Sequence, residues 1–421
     1  MSGAEVLTFG CRLNLHESDR IAALAGHLDE TAIVNTCAVT AAAERQARQA
    51  IRKLHRASPA TRIVVTGCAA QIAPARWAAL PGVARIVGNG EKLRPETWTA
   101  GEGTGETAGK RAALPALTDA PPATPVVEHG SHIRALLQVQ QGCDHGCTFC
   151  IIPQGRGASR SVPVAAVIAN ARSLVAAGHA EIVLTGVDIA SWGHDLPGRP
   201  RLGTLCRSIL DAVPGLARLR LSSLDPAAIL PESDPDFWAV LAGESRFAPH
   251  LHLSLQAASD LVLKRMKRRH SRAQAGELIA RARAVRPDIG IGADLIAGFP
   301  TETDEQAAET LDFVRAHRIA YLHVFPYSER PGTPAARMPS VPNALRRSRA
   351  AALREAGEEM RDAFWRGLIG RDLDVLMEGE GTGRSAQFAL LRVRGAPVRR
   401  GARLTLRPIA LDGGVLLAET A

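Results

Sequence analysis

Short apolar runs recur along the first hundred residues, at 6–9, 32–35 and 62–66, each ending in a turn and followed by a stretch with helical spacing of its apolar positions. Strand and helix in alternation predict an α/β domain built on a doubly wound parallel sheet. The alternation returns on a larger scale after residue 131. Apolar runs at 134–140, 181–185, 217–222, 250–256, 288–296 and 321–326 read as strands, and helical periodicity fills the gaps, for instance at 164–177, 261–285 and 304–316. Six β/α repeats are too few for a closed eight-stranded barrel and predict an open, partial (β/α)6 barrel. An Arg-rich helix at 343–360 closes this unit. Beyond it the pattern changes: 372–378, 387–394, 402–407 and 414–419 read as short strands broken by glycine, which predicts a small antiparallel β-barrel.

These patterns divide the 421 residues into units at 1–100, 132–360 and 361–421, with the Gly-, Thr-, Ala- and Pro-rich segment 101–131 as linker. GEGTGE within that segment is not preceded by a strand that feeds a helix, so it is no nucleotide loop. An apolar fraction of 46% and a charged fraction of 22% belong to a globular chain. No apolar run approaches the roughly 20 residues that span a bilayer. The first ten residues lack a basic segment followed by an apolar core, so no secretory signal is expected and a cytoplasmic location follows. Seven cysteines, an odd number, argue against a disulfide framework and for metal binding or catalysis. The net charge of +9 favours a polyanionic partner, although only five of the 51 basic residues are Lys and the Arg and Ala excess also suits a GC-rich genome.

The strongest local signal is Cys143-Asp-His-Gly-Cys147-Thr-Phe-Cys150, directly after the first strand of the second unit. Three thiolates on one tight loop can hold three corners of a cubane iron–sulfur cluster and leave the fourth iron open. A structural zinc would take a fourth protein ligand, for which His145 is the local candidate. Three further cysteines, Cys11, Cys37 and Cys68, each stand at the carboxyl end of a different strand of the first unit. Such ends share one edge of a parallel sheet, so residues 26 and 31 apart in sequence can converge there as a second three-thiolate site. Cys206 has no partner in either pattern and is expected in the core.

The C-x3-C-x-aromatic-C loop, with Phe149 at the aromatic position, resembles that of the radical S-adenosylmethionine superfamily. The likeness continues at successive strand ends: Thr185 and Gly186, then Ser254 and Gln256, then the segment DLIAGFPTE that holds Ile296 and Gly298. The resemblance implies that these residues contact the methionine, ribose and adenine parts of S-adenosylmethionine. Arg268, in the stretch after the fourth strand, is a candidate partner for the cofactor carboxylate, with a solvated helix face as the plainer reading. With both cysteine sets in view, GCRLN followed by Glu17-Ser18, then NTCAVT, TGC and the loop through Cys150-Ile-Ile-Pro, the chain resembles the methylthiotransferase family. Its segments NTCAVT, LTGVDI and PYSERPGTPAARMP look most like the branch acting on N6-threonylcarbamoyladenosine next to the tRNA anticodon. Gln154, where these enzymes usually carry an aromatic, and Ala257-Ala258 in place of Ser-Gly depart from the pattern.

The resemblance implies S-adenosylmethionine and two 4Fe-4S clusters as cofactors, with all six motif cysteines catalytic. The cluster on Cys143, Cys147 and Cys150 would donate an electron to S-adenosylmethionine and release a 5'-deoxyadenosyl radical. The cluster on Cys11, Cys37 and Cys68 would deliver the SCH3 group. An external electron donor and a sulfur source are then required. From 384 to 407 the chain carries seven Arg (Arg384, Arg392, Arg394, Arg399, Arg400, Arg403 and Arg407) and no acidic residue, which fits phosphate contact. The tail resembles the TRAM RNA-binding module, so the tRNA anticodon stem-loop is the expected partner, no membrane is expected, and a monomer is favoured. A second basic stretch spans 264–272. Two rival substrates keep the chemistry, isopentenyladenosine in tRNA or a ribosomal protein side chain. A rival of another class is a non-catalytic iron–sulfur RNA-binding protein, which would not need the strand-end motifs.

Overall fold

The computed structural model describes residues 3–99, 114, 117, 133–395 and 398–420, so all but two positions of the expected linker lie outside the described residues. The first unit runs β1 (Glu5–Thr8), α1 (Arg12–Ala25), β2 (Thr31–Thr36), α2 (Ala41–Ala57), β3 (Arg62–Gly67), α3 (Cys68–Ile72), α4 (Pro74–Ala78) and β4 (Val83–Ile86). Its sheet is parallel, in the order β1-β2-β3-β4. Side chains alternate across a strand, so Ile33 and Val64 meet α1 through Ile21 and Ala25, while Val34 and Val65 meet α2 through Ala47 and Ile51. Layers thus cover both faces. The fourth strand, VARI, has an exposed Ala84 and no long apolar run, which hid it from the pattern.

The second unit contains β5 (Arg134–Gln138), β6 (Gln140–Gln141), α5 (Ile152–Arg156), β7 (Arg160–Ser161), α6 (Val164–Ala176), β8 (Glu181–Thr185), α7 (Leu202–Ala212), β9 (Arg218–Leu221) and β10 (Ser223–Leu224). It continues through α8 (Pro235–Gly243), β11 (His250–Gln256), α9 (Asp260–Arg265), α10 (Arg272–Val285), β12 (Gly290–Ala297), α11 (Asp304–Ala316), β13 (Tyr321–Pro326) and α12 (Asn343–Arg366). Two parallel sheets, β5-β8-β9 and β10-β11-β12-β13, are joined where the chain passes from β9 to β10 and by a bridge from Leu219 to Phe247. With β9 and β10 as one strand interrupted at Ser222, together they make the six-stranded open barrel, whose core holds Leu184, Leu221, Leu253, Ala293 and Cys206.

Two helices differ from the pattern. The apolar stretch 261–285 is two helices, because Lys267 adopts a left-handed φ of 56° and Ser271 starts α10 with a capping box to Gln274. Helix α12 runs six residues past the expected end at 360, since Trp365 packs into the third unit.

That third unit is a closed ring, β14 (Leu373–Gly379), β15 (Thr382–Ser385), β16 (Leu390–Val393), β18 (Val415–Thr420) and β17 (Arg403–Asp412) in spatial order. Every pair is antiparallel except β16 with β18. The polar strand TGRS carries no apolar alternation and forms because it pairs on both sides. Strand β17 continues through Pro408, where the register shifts, so the missing N–H falls at an irregularity of the ladder. Among the described residues no helix is long and apolar enough to cross a membrane.

Candidate functional site

The three units share one cavity of about 960 Å³. The first unit contributes Gly10, Cys11 and Arg12 to its wall, the open barrel contributes Phe149, Cys150, Thr185, Gly186, Ser254, Gln256 and Ile296, and the ring contributes Arg384 and Phe388. Most of the strand-end residues expected from sequence therefore face one space, at the carboxyl edge where parallel strands build sites.

Cys11 caps α1 immediately after β1, Cys37 follows β2, and Cys68 opens α3 immediately after β3. The parallel register aligns Thr8 with Asn35 and Thr36 with Gly67, so the three thiols leave the same edge of the sheet. Gly10 has φ 97°, and a Cβ there would collide with Cys37, so only glycine lets the Cys11 turn come this close. Burial pushes the Cys37 thiol up to about 12, and Cys11 and Cys68 push the same way. Cys11 is exposed on the cavity wall, where desolvation by the surrounding chain raises its thiol against the lowering charge of Arg156. Protonated thiols crowded in this way fit a metal centre, because coordination takes the protons off.

The second cysteine loop is pinned on both sides. The Thr148 hydroxyl donates to the Arg265 carbonyl at 2.8 Å, its N–H donates to the Met266 carbonyl at 3.1 Å, and the Ala335 N–H donates to the Thr148 carbonyl at 2.9 Å. The Cys150 N–H donates to the Cys147 carbonyl at 3.1 Å, and the His145 N–H to the Cys143 sulfur at 3.4 Å. Burial raises Cys143 to about 12 and Cys150 to about 11. His145, the zinc alternative, turns its Nε2 to Asp188 at 2.7 Å and to Ser191 at 3.3 Å. All seven cysteines are free thiols, and Cys206 is buried in the barrel core.

Arg268 does not sit on a solvated helix face. The turn between α9 and α10 carries it inward, where its guanidinium donates to the Cys147 sulfur at 3.5 Å and the Ser254 carbonyl at 2.7 Å and pairs with Asp225 at 3.2 Å. Gln256 ends β11 at a bulge with a left-handed φ of 70°, a strained backbone of the kind that gathers at functional sites. Gly298 lies off the cavity wall. Its φ of 70° and its N–H bond to Glu302 at 2.8 Å make it the turn residue after β12, and a Cβ there would meet Arg346.

Three residues escaped the sequence reading. Gln140 accepts from the N–H groups of Val187 and Asp188 at 3.0 and 2.8 Å and so fixes the Thr185-Gly186 turn, where a Cβ on Gly186 would lie 2.6 Å from the Gln140 carbonyl. Arg156 and Lys92 converge on Glu17 beneath the first cysteine set, all three buried. A lone Lys or Arg in a sequence gives no hint of burial; only the quoted Glu17 marked the place.

The arginines of the ring divide in two. Arg403 pairs with Asp374 at 2.7 Å, Arg407 with Asp372 at 2.7 Å, and Arg384 with Glu378 at 3.4 Å while stacking on Phe388. The run is therefore less cationic than its own sequence, because β14 and the residue just before it supply the acids. Arg392, Arg394, Arg399 and Arg400 are exposed.

Residues 137–314 match the Radical SAM superfamily and residues 4–88 match the uncharacterized protein family UPF0004. The chain is 44% identical over 395 residues to the threonylcarbamoyladenosine tRNA methylthiotransferase MtaB of Rickettsia prowazekii, covering 91% of this chain and 90% of that one. It is 36% identical over 353 residues to MtaB of Bacillus subtilis, covering 79% and 74% of the two chains. The tRNA-2-methylthio-N(6)-dimethylallyladenosine synthase of Sphingopyxis alaskensis is 36% identical over 400 residues, 89% of this chain and 86% of that one. Among solved structures, the radical S-adenosylmethionine methyltransferase TsrM of Kitasatospora setae superposes with a TM-score of 0.56 at 18% identity, over 76% of this chain and 68% of that one, a likeness of fold.

Proposed function

The chain belongs to the radical S-adenosylmethionine methylthiotransferases, and from that premise we propose that it adds a methylthio group to C2 of N6-threonylcarbamoyladenosine in tRNA. The observation that carries this reading is the 44% identity over nine-tenths of both chains, joined to a cavity that the first cysteine, the second cysteine loop and the barrel strand ends share. Membership brings S-adenosylmethionine and a 4Fe-4S cluster, which we assign to Cys143, Cys147 and Cys150. A second cluster on Cys11, Cys37 and Cys68 is the natural use of the other thiols. Bound together, these groups supply the one-electron and sulfur-transfer chemistry that acid–base side chains cannot bring to an unactivated aromatic carbon.

The protein's own residues position and exclude. Thr185 and Gly186, held by Gln140, would take the methionine end of the cofactor through backbone groups. Ser254 and Gln256 would take the ribose or carboxylate, and Phe149 and Ile296 would pack on the adenine. Arg268, already committed to Asp225, would act through Cys147 rather than grip the cofactor. Enclosure by three units keeps water from the reacting centre. Units at 1–100, 132–360 and 361–421 would divide these tasks, with the ring and its exposed arginines on the anticodon stem-loop, and external donors of electrons and sulfur completing the cycle.

Nucleoside mass spectrometry of tRNA from a strain lacking the gene tests the function directly. Loss of 2-methylthio-N6-threonylcarbamoyladenosine is expected. Loss of the 2-methylthio isopentenyl nucleoside instead would transfer the activity to that substrate, and unchanged tRNA would remove the reading.

A further inference from the structure

One end of the cavity, between the Cys11 turn, strands β11 to β13 and the ring, is built from cations and imidazoles. Arg12 follows Cys11 on the wall and has no hydrogen-bond or ion-pair partner among the described residues. The charges that act on it most are Arg134, Arg220, Arg384 and the carboxylate of Asp294, and Arg354, Glu358 and Arg361 line the same cavity. Arg220 is matched by Glu181 at 2.6 Å and Arg134 by Glu378 at 2.7 Å, with Arg384 sharing Glu378. Asp294 is not available to Arg12 as a pair. Its Oδ1 accepts from His252 Nε2 and His323 Nδ1, both at 3.1 Å, and although burial would raise its carboxyl, those hydrogen bonds and charges hold it well below the usual carboxylate range. Arg12 itself is exposed on the cavity wall.

His250 stands beside this unmatched cation. It is buried, lines the cavity, and leaves both ring nitrogens without a partner, its ring held 4.8 Å from Phe388 and 5.5 Å from Tyr321. Burial, then Arg220 and the neighbouring His252, lower its pKa well below 6.5, so the ring is neutral and offers one donor and one acceptor. A buried imidazole with both nitrogens orphaned is costly unless a ligand completes it, and the exposed guanidinium of Arg12 on the same wall has no anion of its own.

We propose that Arg12 and His250 form a receptor for the carboxylate that the threonylcarbamoyl group carries at N6 of the substrate adenine, so that this end of the cavity selects an anionic N6 substituent over an apolar one. The proposal rests on the function given above. It adds a specificity device to that function: a base presented to the Cys11 side for reaction at C2 carries its N6 substituent inside the same cavity. A backbone phosphate has related chemistry, but a phosphate contact would be indifferent to what N6 bears.

The test uses reconstituted holoenzyme and anticodon stem-loops carrying the threonylcarbamoyl group, its carboxamide, or the isopentenyl group at N6, with dissociation constants and kcat/KM measured for each and iron content followed throughout. Wild-type enzyme is expected to favour the carboxylate over the carboxamide by about 10- to 100-fold, the worth of a charge-assisted hydrogen bond. Arg12→Gln should erase that ratio, Arg12→Lys should keep most of it, and His250→Phe should reduce it. Equal affinity of wild type for carboxylate and carboxamide overturns the receptor without reference to any variant. So does an Arg12→Gln loss that is uniform across the three stem-loops, which would make Arg12 a phosphate contact. Methylthiolation of the isopentenyl stem-loop alone overturns the functional reading as well.

Discussion

Arg156 donates to both carboxylate oxygens of Glu17, at 2.8 and 2.9 Å, and so ties the helix after the second cysteine loop to the helix after Cys11. Lys92 reaches the same carboxylate at 2.7 Å, and Asn14 accepts from Arg156 at 2.6 Å. Two cations on one anion, all buried, leave a positive residue beneath the first cysteine set, where Cys11 and Cys68 lie within the field of Arg156. The network both joins two units of the fold and suits a site whose ligands are thiolates.

Glu17→Gln should destabilise the protein by about 3–5 kcal/mol at neutral pH, because it leaves two buried cations without their anion. Burial would raise the Glu17 carboxyl, but Arg156 and Lys92 outweigh it and bring it down from 4.5 to about 2. A depressed folded value means that this stability is complete above 4.5 and lost as the pH falls toward 2. Anaerobic urea denaturation of both proteins should give a difference that narrows across that window. A neutral-pH loss below about 1 kcal/mol, the size of an exposed pair, would show that the triad is solvated.

Anaerobic reconstitution should load about eight irons per chain, as two cubane clusters require, and Cys11→Ala should bring the count to about four. Cys147→Ala should abolish 5'-deoxyadenosine formation. A count near four in the wild type, unchanged by Cys11→Ala, would remove the second cluster.

Arg268→Met should lower the reduction potential of the cluster on Cys143, Cys147 and Cys150, since hydrogen bonds to sulfur stabilise the reduced state, and should cost about 10- to 100-fold in activity. Redox titration in a Cys11→Ala, Cys37→Ala, Cys68→Ala background isolates the signal of this cluster. An unmoved potential would reduce Arg268 to a partner of Asp225 alone.

What could be read in the sequence followed from spacing and period. The C-x3-C-x2-C loop, the strand-end position of Cys11, Cys37 and Cys68, and the strands at 181–185, 250–256 and 321–326 coincide with the structure because each is a local pattern. What could not be read depends on partners distant in sequence. Arg268 looked like part of a basic helix until a left-handed residue at Lys267 turned it inward onto Cys147 and Asp225. Arg403 and Arg407 looked like free charge in a run without acids, yet their acids stand about thirty residues earlier on β14 and just before it. Glu17 was legible as a motif but its partners, 75 and 139 residues away, were not.

The same division of the ring arginines predicts how tRNA binding responds to salt. Each phosphate contact adds a little under one to the slope of log K against log salt, so the exposed pair Arg392 and Arg394 should lower that slope by about one to two when both become Ala. Arg407 is different, because Asp372 neutralises it at 2.7 Å. Replacing both members of that pair by Ala removes no net charge and should leave the slope within error. Dissociation constants for one tRNA between about 50 and 200 mM salt provide the comparison. Should the Arg407–Asp372 double variant flatten the slope as much as the Arg392–Arg394 variant, Asp372 does not shield Arg407 from RNA. If neither flattens it, the ring arginines form a solvated face and the grip on RNA lies elsewhere, with the basic turn at 264–272 the next surface to test.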